Sequence, residues 1–141
     1  MRIIKLSSED IDFPDRAAVA NYFEMKLPRD IAGQFLLTKG RIRKDGIGVG
    51  EPLIFTYKGQ ISYVAKASSG RFINSGSDRG TYPFYFIVDV NTIAPAQGSL
   101  ADLEDKLRNL EISKNIVKSQ GWPMIKDSPE IERIWNQFKA K

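Results

Sequence analysis

The chain has 141 residues, 42% of them apolar and 27% charged, with a formal net charge of +4. This is enough for one domain, residues 1–141, with a real core, and it argues against disorder. With no Cys and no His, disulfides, thiolate nucleophiles, the usual zinc sites and histidine acid–base catalysis are all excluded, and no cofactor or metal is expected. No run approaches the roughly eighteen apolar residues of a membrane span. "MRIIKLSSED" has no apolar signal-peptide region, so the expectation is a cytoplasmic protein without a membrane partner.

Charge is unevenly spread. Residues 1–34 carry five Lys/Arg against six Asp/Glu, residues 35–90 eight against four, and residues 91–141 eight against seven. The excess sits in the middle third, which reads either as a solvated face or as a surface for a phosphate backbone.

Ile3, Ile4 and Leu6 suggest a short first strand. "DFPDRAAVANYFEMK" reads as a helix, with Pro14 in its first turn and Ala18, Val19, Tyr22 and Phe23 on its buried face; "LPRDIAGQ" should break it. "FLLTKGRIRKDG" then reads as a strand with Arg41 and Arg43 on one face and Lys44 beside them. Gly46, Gly48 and Gly50 raise the question of a phosphate-cradling loop. That motif requires a strand before the glycines and a helix after them. Here Gly50, Glu51 and Pro52 lead into an apolar run, so the glycines read as the entrance to a hairpin.

"PLIFTYK" places Leu53, Phe55 and Tyr57 on one face and Ile54 and Thr56 on the other. A short turn at Gly59 returns the chain as "QISYVAKA", with Ile61, Tyr63, Ala65 and Ala67 sharing a face. "SSGRFINSGSDRGTYP" is a loop, and "FYFIVDVNTI" (residues 84–93) is a central strand, apolar apart from Asp89 and Asn91. Ser99 and Asp102 form a capping box before Leu100, Leu103, Leu107 and Leu110. Ser128 and Pro129 open a last helix with Ile131, Ile134, Trp135 and Phe138 on one stripe. The expected class is α+β, a curved antiparallel sheet closed by helices at both chain ends.

"VGEPLIFTYKG", "QISYVAKA", "GTYPFYFIVDVNTI" and the tail "LADLEDKLRNLEISKNIVKSQGWPMIKDSPEIERIW" together resemble the PUA-like superfamily, especially its EVE branch, over roughly residues 45 to 138. The resemblance implies a partly open β-barrel that binds DNA or RNA. Its YTH and SET-and-RING-associated relatives accept a modified base in an aromatic pocket, without catalysis, and a nuclease on another chain is the partner implied. Base-pocket candidates are Phe55, Tyr57, Tyr63, Phe72, Asn74, Tyr82, Asp89 and Trp122. Each has a plainer reading as core aromatic, turn former or plug over the barrel end. Phosphate-binding candidates are Arg41, Arg43, Lys44, Lys66, Arg71 and Arg79. Two alternatives stand beside this. One is an ASCH-like enzyme using Thr56, Glu51 and Lys66 or Lys58. The other is a barrel for a small molecule or protein.

Overall fold

The computed structural model describes residues 1–38, 41–43 and 45–140. Among these residues ten elements follow in order. Strand β1 (Arg2–Leu6) leads to helix α1 (Arg16–Asn21), which widens into a π-helical stretch (Tyr22–Asp30). Then come β2 (Gln34–Leu37), β3 (Pro52–Tyr57), β4 (Gln60–Ala67), β5 (Phe72–Ile73), β6 (Phe84–Pro95), α2 (Leu100–Asn109) and α3 (Pro129–Gln137). The class is α+β. One curled, half-barrel sheet runs β1-β3-β4-β6-β2, with β5 also paired to β6. Among the described residues no helix is long and apolar enough to cross a membrane.

The sheet is mixed, where an antiparallel one was expected. β1 runs parallel to β3, with Arg2 opposite Leu53 and Leu6 opposite Tyr57, while the other pairings are antiparallel. The physical reason is connectivity. The chain leaves β1 through α1, the π-helical stretch and β2 before returning, and such a crossover permits a parallel neighbour.

Both faces of β3 are buried, because the sheet is the middle layer. Inside the curl, Leu53, Phe55 and Tyr57 pack with Tyr22, Phe23, Leu27, Phe35 and Phe86. On the outer face, Ile54 and Val64 meet Leu103 and Leu107 of α2 and Ile131 and Trp135 of α3. The expected alternation of β3 is therefore observed. That of β4 is interrupted: Tyr63 faces Phe55 but Ile61 faces Thr56, so Ser62 is an extra residue. This bulge turns Ile61 over to the outer core, away from Tyr63 and Ala65.

The turn between β3 and β4 uses Lys58 at φ +51° and Gly59 at φ +78°, both left-handed, as a two-residue hairpin loop demands. The glycine run does lead into this hairpin, with the Gly50 amide donating to the Ala67 carbonyl at 2.7 Å. β6 carries a larger irregularity. Val64 and Lys66 of β4 face Ala94 and Asp89, so extra residues of β6 loop outward. Thr92 holds them, its hydroxyl accepting from the Lys66 amide at 2.8 Å and donating to the Asp89 carbonyl at 2.6 Å. The bend lets the first half of β6 leave β4 and pair with β2 and β5, which curls the sheet.

The first helix starts at Arg16, with the Asp15 side chain accepting from the Ala18 amide at 2.8 Å; Pro14 thus precedes the cap. The helix continues past the expected break. Pro28 has no N–H to donate, but the wide turns carry the chain through it to Ile31, whose amide reaches the Lys26 carbonyl at 3.1 Å. The reversal comes at Ala32 and Gly33, both at positive φ. The N-caps of α2 and α3 form as expected: Ser99 with Asp102 as a capping box, and Ser128 accepting from the Ile131 amide.

Candidate functional site

A cavity of about 380 Å³ opens where the end of β1, the loop after it, β2 and the Trp122 segment meet. Its aromatic walls are Phe13, Tyr22, Phe35, Tyr82 and Trp122. Three of these rings form a chain of edge contacts, Phe13 to Tyr22 at 4.9 Å and Tyr22 to Phe35 at 6.1 Å. Phe35 then meets Trp122 at 6.3 Å. Phe13, Tyr22 and Phe35 are each no more than 5% exposed and belong to the inner core, so the partly exposed Tyr82 and Trp122 are the rings that a flat guest would meet.

Trp122 is held from several directions. Its indole N–H donates to the Lys5 carbonyl at 3.2 Å, and its own carbonyl accepts from Arg2 Nη1 at 3.1 Å. The Arg41 guanidinium lies 5.5 Å from its ring centroid. Arg2 also donates to the Gly46 carbonyl, so one buried guanidinium ties the Trp122 segment to the glycine loop.

The cavity lining carries both signs of charge, Lys5 and Arg41 against Glu9, Asp10 and Asp12. Asp12 is paired with Lys26 at 2.6 Å. Burial, followed by the charges of Asp10 and Asp12, pushes the Tyr82 phenol up to about 12; the same causes raise Tyr22. Both phenols are therefore neutral hydrogen-bond donors at ordinary pH, and the Tyr82 hydroxyl lies 3.5 Å from Asp10 Oδ1.

Of the expected pocket residues, the structure brings Tyr82 and Trp122 to this cavity. Phe55, Tyr57 and Tyr63 are instead buried in the inner core. Phe55 packs on Phe23 at 4.6 Å, Tyr63 stacks on Phe23 at 4.8 Å, and the Tyr57 hydroxyl donates to the Phe13 carbonyl at 2.8 Å. The reason is that the hairpin lies in the middle layer, where every inward ring is consumed by packing. Phe72 is half-exposed on β5 against Tyr85. Asn74 organises its own loop, donating to Asp78 Oδ1 at 2.8 Å and the Tyr82 carbonyl at 2.7 Å. It thereby positions Tyr82. Asp89 sits at the β6 irregularity, where its side chain accepts from the Asn91 amide.

Among the cations, Arg41 lines the cavity and Arg43 is exposed in the same loop. Neither lies on a strand, because β2 ends at Leu37. Arg71 joins them, donating to the Ile42 carbonyl at 2.8 Å with its guanidinium 3.8 Å from the Phe84 centroid. Lys66 is elsewhere, paired with Glu132 and over Trp135 on the α3 side. Arg79 is exposed and bonds back to Gly76. Lys44 lies outside the described residues.

The residues considered for catalysis do not converge. Thr56 and Lys66 sit at opposite ends of the hairpin, four residues of strand apart on β3 (about 13 Å by strand rise), since Lys66 faces Pro52. Glu51 is partly buried, and that burial raises its pKa. The residues missed by sequence reading are Phe13, Tyr22 and Phe35 as walls and Asp10 and Asp12 as acceptors. The available signal was the acidic run "SEDID" directly before Phe13. Among the described residues, no group of three or more acidic side chains is placed to hold a metal ion. No family model, curated protein or solved structure matches the chain.

Proposed function

We propose that this protein binds nucleic acid and receives one unstacked base in the aromatic cavity, without catalysing a reaction. The observation that carries the reading is the aromatic cavity itself, with Arg41 at its side within a basic loop. Its size falls at the lower end of small-molecule pockets, which span about 300–1,000 Å³. A base lifted from its stack needs replacement π-faces, each worth about 1–3 kcal/mol. The carboxylates of Asp10 and Asp12 would accept from exocyclic amino or ring N–H groups, and Arg41, Arg43 and Arg71 would face the flanking phosphates. The PUA-like, EVE-type assignment belongs to this proposal, as does recognition of a modified base. A half-barrel with helices at both chain ends is compatible with it. A reader of this kind would act through a partner such as a nuclease on another chain.

The test is a binding titration with short single- and double-stranded DNA and RNA, with and without methylated or hydroxymethylated bases, at several salt concentrations. Affinity should fall steeply with salt, and Arg41→Ala should flatten that slope by about one while weakening all sequences alike. Tyr82→Ala should lower discrimination between bases. Lys66→Ala should change neither. Affinity indifferent to salt would overturn the reading. The three carboxylates in the lining favour a second reading, a small cationic ligand held by rings and carboxylates. Saturable binding of a quaternary ammonium with no oligonucleotide binding would select it.

A further inference from the structure

A second concavity, of about 520 Å³, lies across Lys5 and Leu6 from the first, and these two residues line both. It is formed by Thr56, the turn at Lys58 and Gly59, the start of α2 at Ser99 and Ala101, and Ser119. Its chemistry is different. It has no aromatic wall and no carboxylate in its lining.

Three independent features favour an anion. Lys5 and Lys58 both line the cleft, and among the described residues neither forms an ion pair. The Lys5 ammonium donates to the Ser119 carbonyl, which uses one of its three donors. Burial lowers the Lys5 pKa, and the Glu104 carboxylate, which lies outside the cleft lining and pairs with Arg108, offsets this only in part.

The second feature is the N-terminus of α2. Its Leu100 amide donates to the Gly59 carbonyl at 3.0 Å, and its Asp102 amide to Ser99 Oγ at 3.1 Å. The Ala101 amide has no acceptor among the described residues, and the helix dipole favours negative charge at this end. Asp102 is outside the cleft lining, its carboxylate accepting from the Ser99 amide at 3.2 Å.

The third is Thr56. It is only 2% exposed and has no hydrogen-bond partner among the described residues. The side chain is on the opposite face of β3 from Phe55, and it lines this cleft. Among the described residues the fully buried polar side-chain atoms without a partner are Arg2 Nε and Glu51 Oε2, so the Thr56 hydroxyl is open to the cleft, where it can donate to an anion's oxygen.

We propose that this cleft is a phosphate-binding site, in which Lys5, Lys58, the Thr56 hydroxyl and the Ala101 amide hold a phosphomonoester or a backbone phosphodiester. The site stands apart from the base cavity, but their shared wall lets one strand occupy both. The test follows the backbone amides of the ¹⁵N-labelled protein by NMR during titration with inorganic phosphate, a nucleoside 5′-monophosphate or a short oligonucleotide, at constant ionic strength.

Inorganic phosphate should produce saturable shifts at Gly59, Ser99 and Ala101. Lys58→Gln and Thr56→Val should each weaken binding about tenfold, the loss expected for one charge-assisted hydrogen bond. Thr56→Val keeps the branched shape, so unfolding is not the readout. Shifts no larger than those from chloride overturn the site, as do saturable shifts unaffected by either variant. Phosphate shifts without oligonucleotide binding keep the cleft as a site for free phosphate or a mononucleotide, and remove the nucleic-acid reading. Oligonucleotide binding with no phosphate shifts, unchanged by both variants, removes the cleft and leaves the base cavity.

Discussion

The two tryptophans offer a direct probe of the base cavity. Trp135 is 2% exposed in the outer core, its indole N–H donating to the Leu53 carbonyl at 2.9 Å. Trp122 lines the cavity on the other side of the sheet. A base stacking in the cavity should therefore quench Trp122 fluorescence and leave that of Trp135 unchanged. Trp122→Phe keeps a ring for stacking and removes the reporter. It should bind oligonucleotide with little loss while the quenching disappears. Trp122→Ala removes the stacking face, worth about 1–3 kcal/mol, so its Kd should rise about fivefold to 150-fold. The same change loses the Arg41 contact, about 0.5–1 kcal/mol, and the indole bond to Lys5, about 1 kcal/mol. A moderate drop in stability is thus expected, and urea unfolding should accompany the titration. The reasoning is refuted if Trp122→Phe is quenched as strongly as the parent protein, or if folded Trp122→Ala binds with unchanged Kd.

Tyr57→Phe should cost about 1–2 kcal/mol in urea unfolding, because the Phe13 carbonyl loses a buried donor at 2.8 Å; oligonucleotide affinity should hold, since Tyr57 lies outside the cavity. Gly33→Ala should be more damaging. Gly33 has φ +81°, and a Cβ there would stand 2.4 Å from the Val88 carbonyl oxygen, so backbone strain and the lost Val88 amide bond to the Gly33 carbonyl, now 2.8 Å, should together cost about 3 kcal/mol. Tyr82, with its phenol raised to about 12, should ionise after an ordinary tyrosine. Ultraviolet titration of the parent against Tyr82→Phe should show the missing phenolate signal above pH 11, not near pH 10. For stability the sign follows: any contribution from neutral Tyr82 is complete below the unfolded value near 10 and is lost as pH rises towards 12.

Much of the local structure was legible in the residues. Ser99 with Asp102, and Ser128 with Pro129, set the starts of α2 and α3, because a cap is settled within four residues of chain. The alternation of "PLIFTY" identified β3, and Lys58 with Gly59 its turn. The glycines of residues 46–50 could be assigned to a hairpin entrance from their order alone. The bulge at Ser62 was not legible, since it arises where the twist of two paired strands is accommodated, and it moved Ile61 to the other core. Nor was the passage through Pro28.

The candidate site divides along the same line. Composition by itself excluded cysteine and histidine chemistry and placed the basic excess in residues 35–90. It also supplied Trp122, Tyr82 and Arg41 as candidates, since residue type and charge are properties of the chain. Only the tertiary structure decided which rings remain open to a ligand. Tyr57 and Tyr63 look as available in sequence as Tyr82, yet the parallel entry of β1 and the helices over both faces make their hairpin a middle layer. Burial is a property of what packs from distant parts of the chain, and so are the two cavities on either side of Lys5.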